Sequence, residues 1–236
     1  MKLLAFETAT EACSVALYVD GQVLERFEIA PRRHAELSLP WAEQLLAEAG
    51  ISRSQLDGIA LSRGPGAFTD VRLAIAIAQG IALALDRPLL PVSTLQVLAL
   101  RAPESAAQVL ASIDARMGEV YAARFVRDGD GALELQGSEA VIAPEALQLP
   151  EEAAAWAGVG TGFAAVDGML ADRLQGRLSW LDAAALPHAA DVLKIAVPML
   201  RRGGGIAPEL VQPAYLRDNV ALTLIEQQAL RAAKGG

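Results

Sequence analysis

Apolar and polar positions along the chain follow two periods, and the switches between them lay out the elements. Residues 2–7 are an apolar run ended by an acid, 12–19 form a second run and 22–30 a third. Asp20-Gly21 between the last two is a hairpin signal. These runs predict an antiparallel three-strand meander, ended by Pro31. From 33 to 49 the period becomes helical: Leu37, Trp41, Ala42, Leu45, Leu46 and Ala49 cover an arc of about 200°, wider than one contact needs. Pro40 lies inside this pattern, as a kink or a late helix start. A strand is expected over 57–61, then the turn Gly64-Pro65-Gly66, then a helix to Leu85. On that helix Leu73, Ile77, Ile81 and Leu85 form one stripe, expected on the sheet. The other side carries Ile75, Ala76, Gly80 and Leu83, with only Arg72 and Gln79 as polar relief. A helix apolar all round must be covered on both sides, so a further layer of this chain or another protein should meet it. Ala76, Gly80 and Ala84 would let a partner helix approach closely. Residues 88–92 read as a short strand, and Ser93 is placed to cap a helix over 94–101.

After Pro103 the opening pattern restarts. A strand over 109–114 ends in an acid, 119–126 is the next, Asp128-Gly129-Asp130-Gly131 makes the hairpin, and 132–141 is the third. Glu7 and Asp114 are thus equivalent strand ends, 107 positions apart. Beyond this, short helices are expected over 144–149 and 163–174, a strand from 153 to 159, a helix over 188–201 containing Pro198, an extended stretch over 208–216 and a fraying C-terminal helix. Three strands followed by alternating helices and strands is the order of a ribonuclease-H-like α/β lobe rather than a β-sandwich. The repeat predicts two such lobes, residues 1–103 and 104–236, with the C-terminal helix free to pack back on the first.

Composition narrows the function. The chain is 53% hydrophobic and 20% charged over 236 residues, enough for a sizeable core. No stretch reaches the about 20 apolar residues taken as a bilayer span, and Glu7 interrupts any signal-peptide core. The single cysteine, Cys13, fits the cytoplasm. A net charge of −8 repels phosphodiester backbones, so a role on nucleic acid needs a partner that supplies positive charge. Two histidines and one cysteine, far apart, do not make a Cys/His zinc site.

Several residues are candidates for chemistry. Glu7 and Asp114 could hold a divalent cation on a nucleotide between two lobes, or merely form turns. A two-metal nuclease would need further clustered carboxylates. Gly158-Val159-Gly160-Thr161-Gly162 could line a nucleotide or be a plain turn. Gly64-Pro65-Gly66 could cradle a phosphate, but Asp70 in the first helical turn fills the niche an anion would use. His34 and His188 read as capping or surface residues. No Gly-x-Ser-x-Gly elbow supports a hydrolase.

Glu7-Thr8-Ala9-Thr10-Glu11-Ala12-Cys13-Ser14-Val15-Ala16-Leu17, Arg63-Gly64-Pro65-Gly66-Ala67-Phe68-Thr69 with Val71-Arg72, Val92-Ser93-Thr94-Leu95, Ile113 to Tyr121 and Pro213-Ala214-Tyr215-Leu216-Arg217 closely resemble the TsaB (YeaZ) family of bacterial tRNA threonylcarbamoyladenosine biosynthesis proteins. The resemblance covers nearly the whole chain in order. It implies two lobes of the actin-like, Hsp70-like ATPase fold and a non-catalytic paralogue of TsaD, the enzyme that modifies the adenosine beside the anticodon of tRNAs reading ANN codons. It implies binding to TsaD through the first-lobe helices, assembly with the ATPase TsaE, homodimers when TsaD is absent, and contact with tRNA only through the complex. It implies no cofactor, no metal and no catalytic residue here: the histidine pair of the catalytic paralogue falls on Thr94 and Leu98, which also opposes an older metalloprotease reading of the wider family. Asp70 stands where the family usually has Gly. The expected partner-facing residues are Leu37, Trp41, Leu45, Arg72, Ile75, Ala76, Gln79 and Leu83, with Trp41 either core or anchor. The rival reading is an ATP-dependent enzyme using the inter-lobe cleft, with Glu7 and Asp114 near magnesium.

Overall fold

The computed structural model describes residues 1–129, 131–151 and 155–217. Asp130 of the second hairpin, the first residues of the strand expected from 153, and the expected C-terminal helix lie outside the described residues.

Strands β1 (Lys2–Glu7), β2 (Ala12–Val19) and β3 (Gln22–Ile29) form the meander. Helix α1 (His34–Glu48), β4 (Gly58–Ser62), α2 (Phe68–Leu85), β5 (Leu89–Val92) and α3 (Thr94–Ala99) follow. The first sheet has the order β3-β2-β1-β4-β5, antiparallel across β1–β3 and parallel across β1, β4 and β5. The second half contains β6 (Gln108–Arg116), β7 (Glu119–Arg127), β8 (Leu133–Ile142), β9 (Trp156–Val159), α4 (Ala165–Leu174), β10 (Leu178–Asp182) and α5 (Ala189–Arg201). Its sheet, β8-β7-β6-β9-β10, repeats the plan of the first. The molecule is an α/β protein of two ribonuclease-H-like lobes, with mixed sheets flanked by helices.

Every residue of β1 after Lys2 is buried because helices cover both faces of the sheet. Leu4 and Phe6 point into a core shared with α1 and α2, whereas Leu3 and Ala5 point toward Val192, Leu193 and Ala196 of α5. The helices therefore cross between lobes. α5, late in the chain, covers the first sheet, and Leu95, Leu98 and Ala99 of α3 pack with Val109, Ala111 and Phe125 of the second. The start of α5 is held by first-sheet side chains: Ala189 N–H donates to Ser14 Oγ (2.9 Å) and Ala190 N–H to Glu25 Oε1 (3.0 Å).

Some expectations fail. Residues 144–149 form turns, not a helix, and the carbonyls of Pro144 and Leu147 accept from the Arg173 guanidinium instead of helical N–H groups. β10 was not expected; its alternating half-exposed positions at the sheet edge carry a weak apolar signal. Pro40 does not delay α1, which starts at His34. Among the described residues, α2 is long and apolar enough by length and composition to cross a membrane, contrary to the sequence reading. Here Val71, Ala74, Ile75, Ala78 and Ala82 press it onto the first sheet.

Candidate functional site

Two surfaces gather the residues singled out by the sequence. The first is the outer face of α2. Only five of its 18 residues are buried, and the sheet-facing row is not the expected Leu73–Ile77–Ile81–Leu85 stripe, which is half-buried at the flank. The alanine-rich row wins because small side chains let the helix axis approach the sheet. Ala76, Gly80, Leu83 and Ala84, at i, i+4, i+7 and i+8, are consequently exposed on one stripe, with Leu83 at 62%.

The eight residues expected to face a partner divide sharply. Leu45, Leu37 and Ile75 are buried in the first lobe's own clusters and present no surface, which corrects their placement at an interface. The wide apolar arc of α1 is consumed internally, and Trp41 lies half-buried between two of those clusters. Arg72 and Gln79 are half-buried, with their polar ends engaged by the chain itself. Gln79 Nε2 donates to Pro208 O (2.8 Å). The Arg72 guanidinium lies 3.2 Å from the Phe68 ring centroid and donates to the Tyr215 hydroxyl. Ala76 and Leu83 are open. Phe68 at the start of α2, and Leu210 and Tyr215 of the later chain, add exposed apolar surface, at 66%, 64% and 56% exposure. The sequence does not mark them, because their exposure depends on how the tail folds back.

The second surface is a cleft of about 700 Å³ between the lobes. Ala9–Glu11, His34 and the start of α2 form one wall, Ile113–Arg116, Tyr121 and Ala164 the other, and Pro213–Arg217 a third. Asp114 lies on this wall, bonded to the Arg116 N–H and guanidinium (2.7 Å each). Glu7 does not reach the cleft. It is fully buried, accepts from Ala9 N–H (2.7 Å) and the Ser62 hydroxyl, and burial pushes its carboxyl up to about 7. The two equivalent strand ends therefore do not share a site.

The Gly64-Pro65-Gly66 turn, the candidate phosphate cradle, is packed directly on the turn between β1 and β2. A β-carbon on Gly66 would lie 2.3 Å from Ala9 O, and Ala67 N–H donates to that oxygen (2.8 Å). Ala9 and Ala12 N–H groups already bond to Glu7 and Thr10 side chains. His34, expected as a cap or at the surface, is buried: Nε2 lies 3.2 Å from Ala12 O and Nδ1 3.6 Å from Asp70 Oδ1. Burial raises the Asp70 carboxyl and the nearby imidazole pulls it back. Nothing in sequence spacing links that pair. Among the described residues no three His, Cys, Asp or Glu side chains are placed to share a metal ion.

A family model described as "TsaD: tRNA N6-adenosine threonylcarbamoyltransferase" matches residues 27–224. The tRNA threonylcarbamoyladenosine biosynthesis protein TsaB of Escherichia coli is 43% identical over 94% of this chain and 96% of its own length. That of Haemophilus influenzae is 38% identical over 93% and 95%. A solved structure titled "YeaZ from Pseudomonas aeruginosa" superposes with a TM-score of 0.84 at 48% identity, covering 91% of this chain and 99% of that one. The chain belongs to the TsaB (YeaZ) family. In this TsaB-family chain Thr94 and Leu98 are fully buried within α3. The glycine run 158–162 is closely packed: β-carbons on Gly160 and Gly162 would lie 2.3 Å from Ser112 O and 2.0 Å from Ser112 Oγ.

Proposed function

We propose that this chain is a non-catalytic subunit in the synthesis of threonylcarbamoyladenosine beside the anticodon of tRNAs reading ANN codons. It acts in the cytoplasm by binding TsaD and enabling assembly with TsaE, and reaches tRNA only through that complex. We place the division between lobes at residues 103 and 104, with α5 and Val211 packing back on the first lobe, which carries the partner surface. The observation that supports this reading is the exposed Ala76–Gly80–Leu83–Ala84 stripe, a small-residue and leucine face that is uncovered among the described residues. Arg72 and Gln79 lie on the same helix, and Trp41 is half-buried on α1. An ordinary stable interface needs about 800 Å² per side. The same stripe would pair two copies when TsaD is absent.

The cleft favours a second reading, an ATP-dependent enzyme, since its volume would admit a nucleotide. Against it stand the burial of Glu7 and the engagement of the Ala9 and Ala12 N–H groups by side chains of the same turn. A pull-down with TsaD and TsaE, with and without ATP, followed by the modification assay, tests the first reading. Calorimetry of the isolated chain with ATP and magnesium tests the second: micromolar binding would support it.

A further inference from the structure

After α5 the chain returns along the first lobe. Ile206 pairs with Leu89 through two backbone bonds (2.9 and 3.0 Å), Val211 is buried in the first-lobe core, and Ala214 N–H donates to Arg63 O (2.8 Å). Tyr215 is held by Arg72. Two residues later the chain has crossed to the other lobe. Arg217 donates to Glu119 Oε2 (2.6 Å), to Ala115 O (3.2 Å) and Arg116 O (3.4 Å), and its Nη1 lies 3.3 Å from Met117 Sδ. All of these belong to the β6–β7 hairpin, whose turn at Arg116, Met117 and Gly118 has positive φ throughout. Pro213 to Arg217 thereby form a wall of the cleft.

Away from the cleft the lobes are joined differently. Ser93 at the start of α3 donates to Glu139 of β8, Gln96 Nε2 to Leu133 O (3.3 Å), and Arg101 Nη1 to Asp191 of α5 (3.3 Å). None of these residues lines the cleft. One side of the molecule thus has packed helices crossing between sheets, and among the described residues the cleft side is bridged by the extended segment that carries Arg217.

We infer that the segment from Ile206 to Arg217 is a clasp, anchored on the first lobe and latched through Arg217 to the β6–β7 hairpin, that sets how far the cleft opens. Packed helix junctions and short segments that link two bodies are where opening and closing motions concentrate. One terminal nitrogen of Arg217, Nη2, makes all three oxygen contacts, two to carbonyls and one to a carboxylate, while Nη1 faces the Met117 sulfur. This goes beyond the partner reading and stands or falls separately, since its test needs no partner.

The test is a distance measured across the cleft in the full chain. Arg32→Cys and Ala164→Cys place labels on opposite walls at exposed positions outside the clasp segment, and Cys13, being buried, stays unlabelled. Pulsed electron spin resonance on the labelled parent should give one narrow distribution. Adding Arg217→Ala should lengthen and broaden it, and Glu119→Ala should do so to a smaller degree, because two carbonyl contacts remain. Distributions unchanged in both variants would overturn the clasp. If Arg217→Ala fails to fold, Glu119→Ala alone decides, an unchanged distribution counting against the proposal.

Discussion

Gly66 presses so closely on Ala9 that a β-carbon would lie 2.3 Å from the Ala9 carbonyl oxygen and 2.8 Å from its β-carbon. The atoms it would meet are backbone and a methyl, which cannot swing away. Gly66→Ala should therefore push the start of α2 off the β1–β2 turn and destabilise the chain by about 1–3 kcal/mol, the range for overpacking. Gly80 is the control: nothing lies within 4 Å of its would-be β-carbon. Gly80→Ala should stabilise by about 0.5–1 kcal/mol through helix propensity. Chemical denaturation of both variants checks the pair.

Glu7 makes stability depend on pH in a direction opposite to most carboxylates. Its value rises from the ordinary 4.5 to about 7 in the fold, through burial that its two hydrogen bonds only partly offset. Stability tied to it is complete below 4.5 and is lost as pH climbs to 7, a loss of about 3 kcal/mol. Glu7→Gln should remove that slope and be the more stable protein at pH 8. Urea unfolding at pH 5 and pH 8 gives the comparison.

Glu25 acts the other way. Burial pushes its carboxyl up, but His188, the Ala190 N–H and Ser14 outweigh it and leave the value below the ordinary one. Its contribution is present above the ordinary carboxylate range and is lost as pH falls through the lowered value. Because Glu25 caps α5 from another strand, Glu25→Ala should cost about 1–2 kcal/mol at neutral pH, as a lost cap does. It should also expose the first turn of α5 to hydrogen exchange.

Leu45 and Leu83 separate core from surface. Leu45 is fully buried, so Leu45→Ala should cost about 2–5 kcal/mol. Leu83→Asp, at a 62% exposed position, should change stability by no more than about 0.5 kcal/mol. Thermal melting distinguishes them before any binding is measured.

Much of the fold was legible because strand periodicity and hairpin signals are local. β1 and β2 end where their apolar runs end, and the repeat of Lys2–Glu7 at Gln108–Arg116 reappears as two sheets of one plan. What stayed hidden depends on fit between distant residues. The facing of α2 follows Ala74, Ala78 and Ala82, not the larger Leu73, Ile77 and Ile81, because close approach favours small side chains. An amphipathic stripe on α5 does not say which sheet it covers. Leu37 and Leu45 read as spare apolar surface only until the depth of the first-lobe core is known.

The most direct test is the affinity of this chain for its cognate TsaD, wild type against Leu83→Asp, by calorimetry. The account predicts binding by the wild type and at least about thirty-fold weaker binding by the variant, the loss of a residue worth about 2 kcal/mol, with unchanged melting. Equal affinity for the two proteins would contradict it.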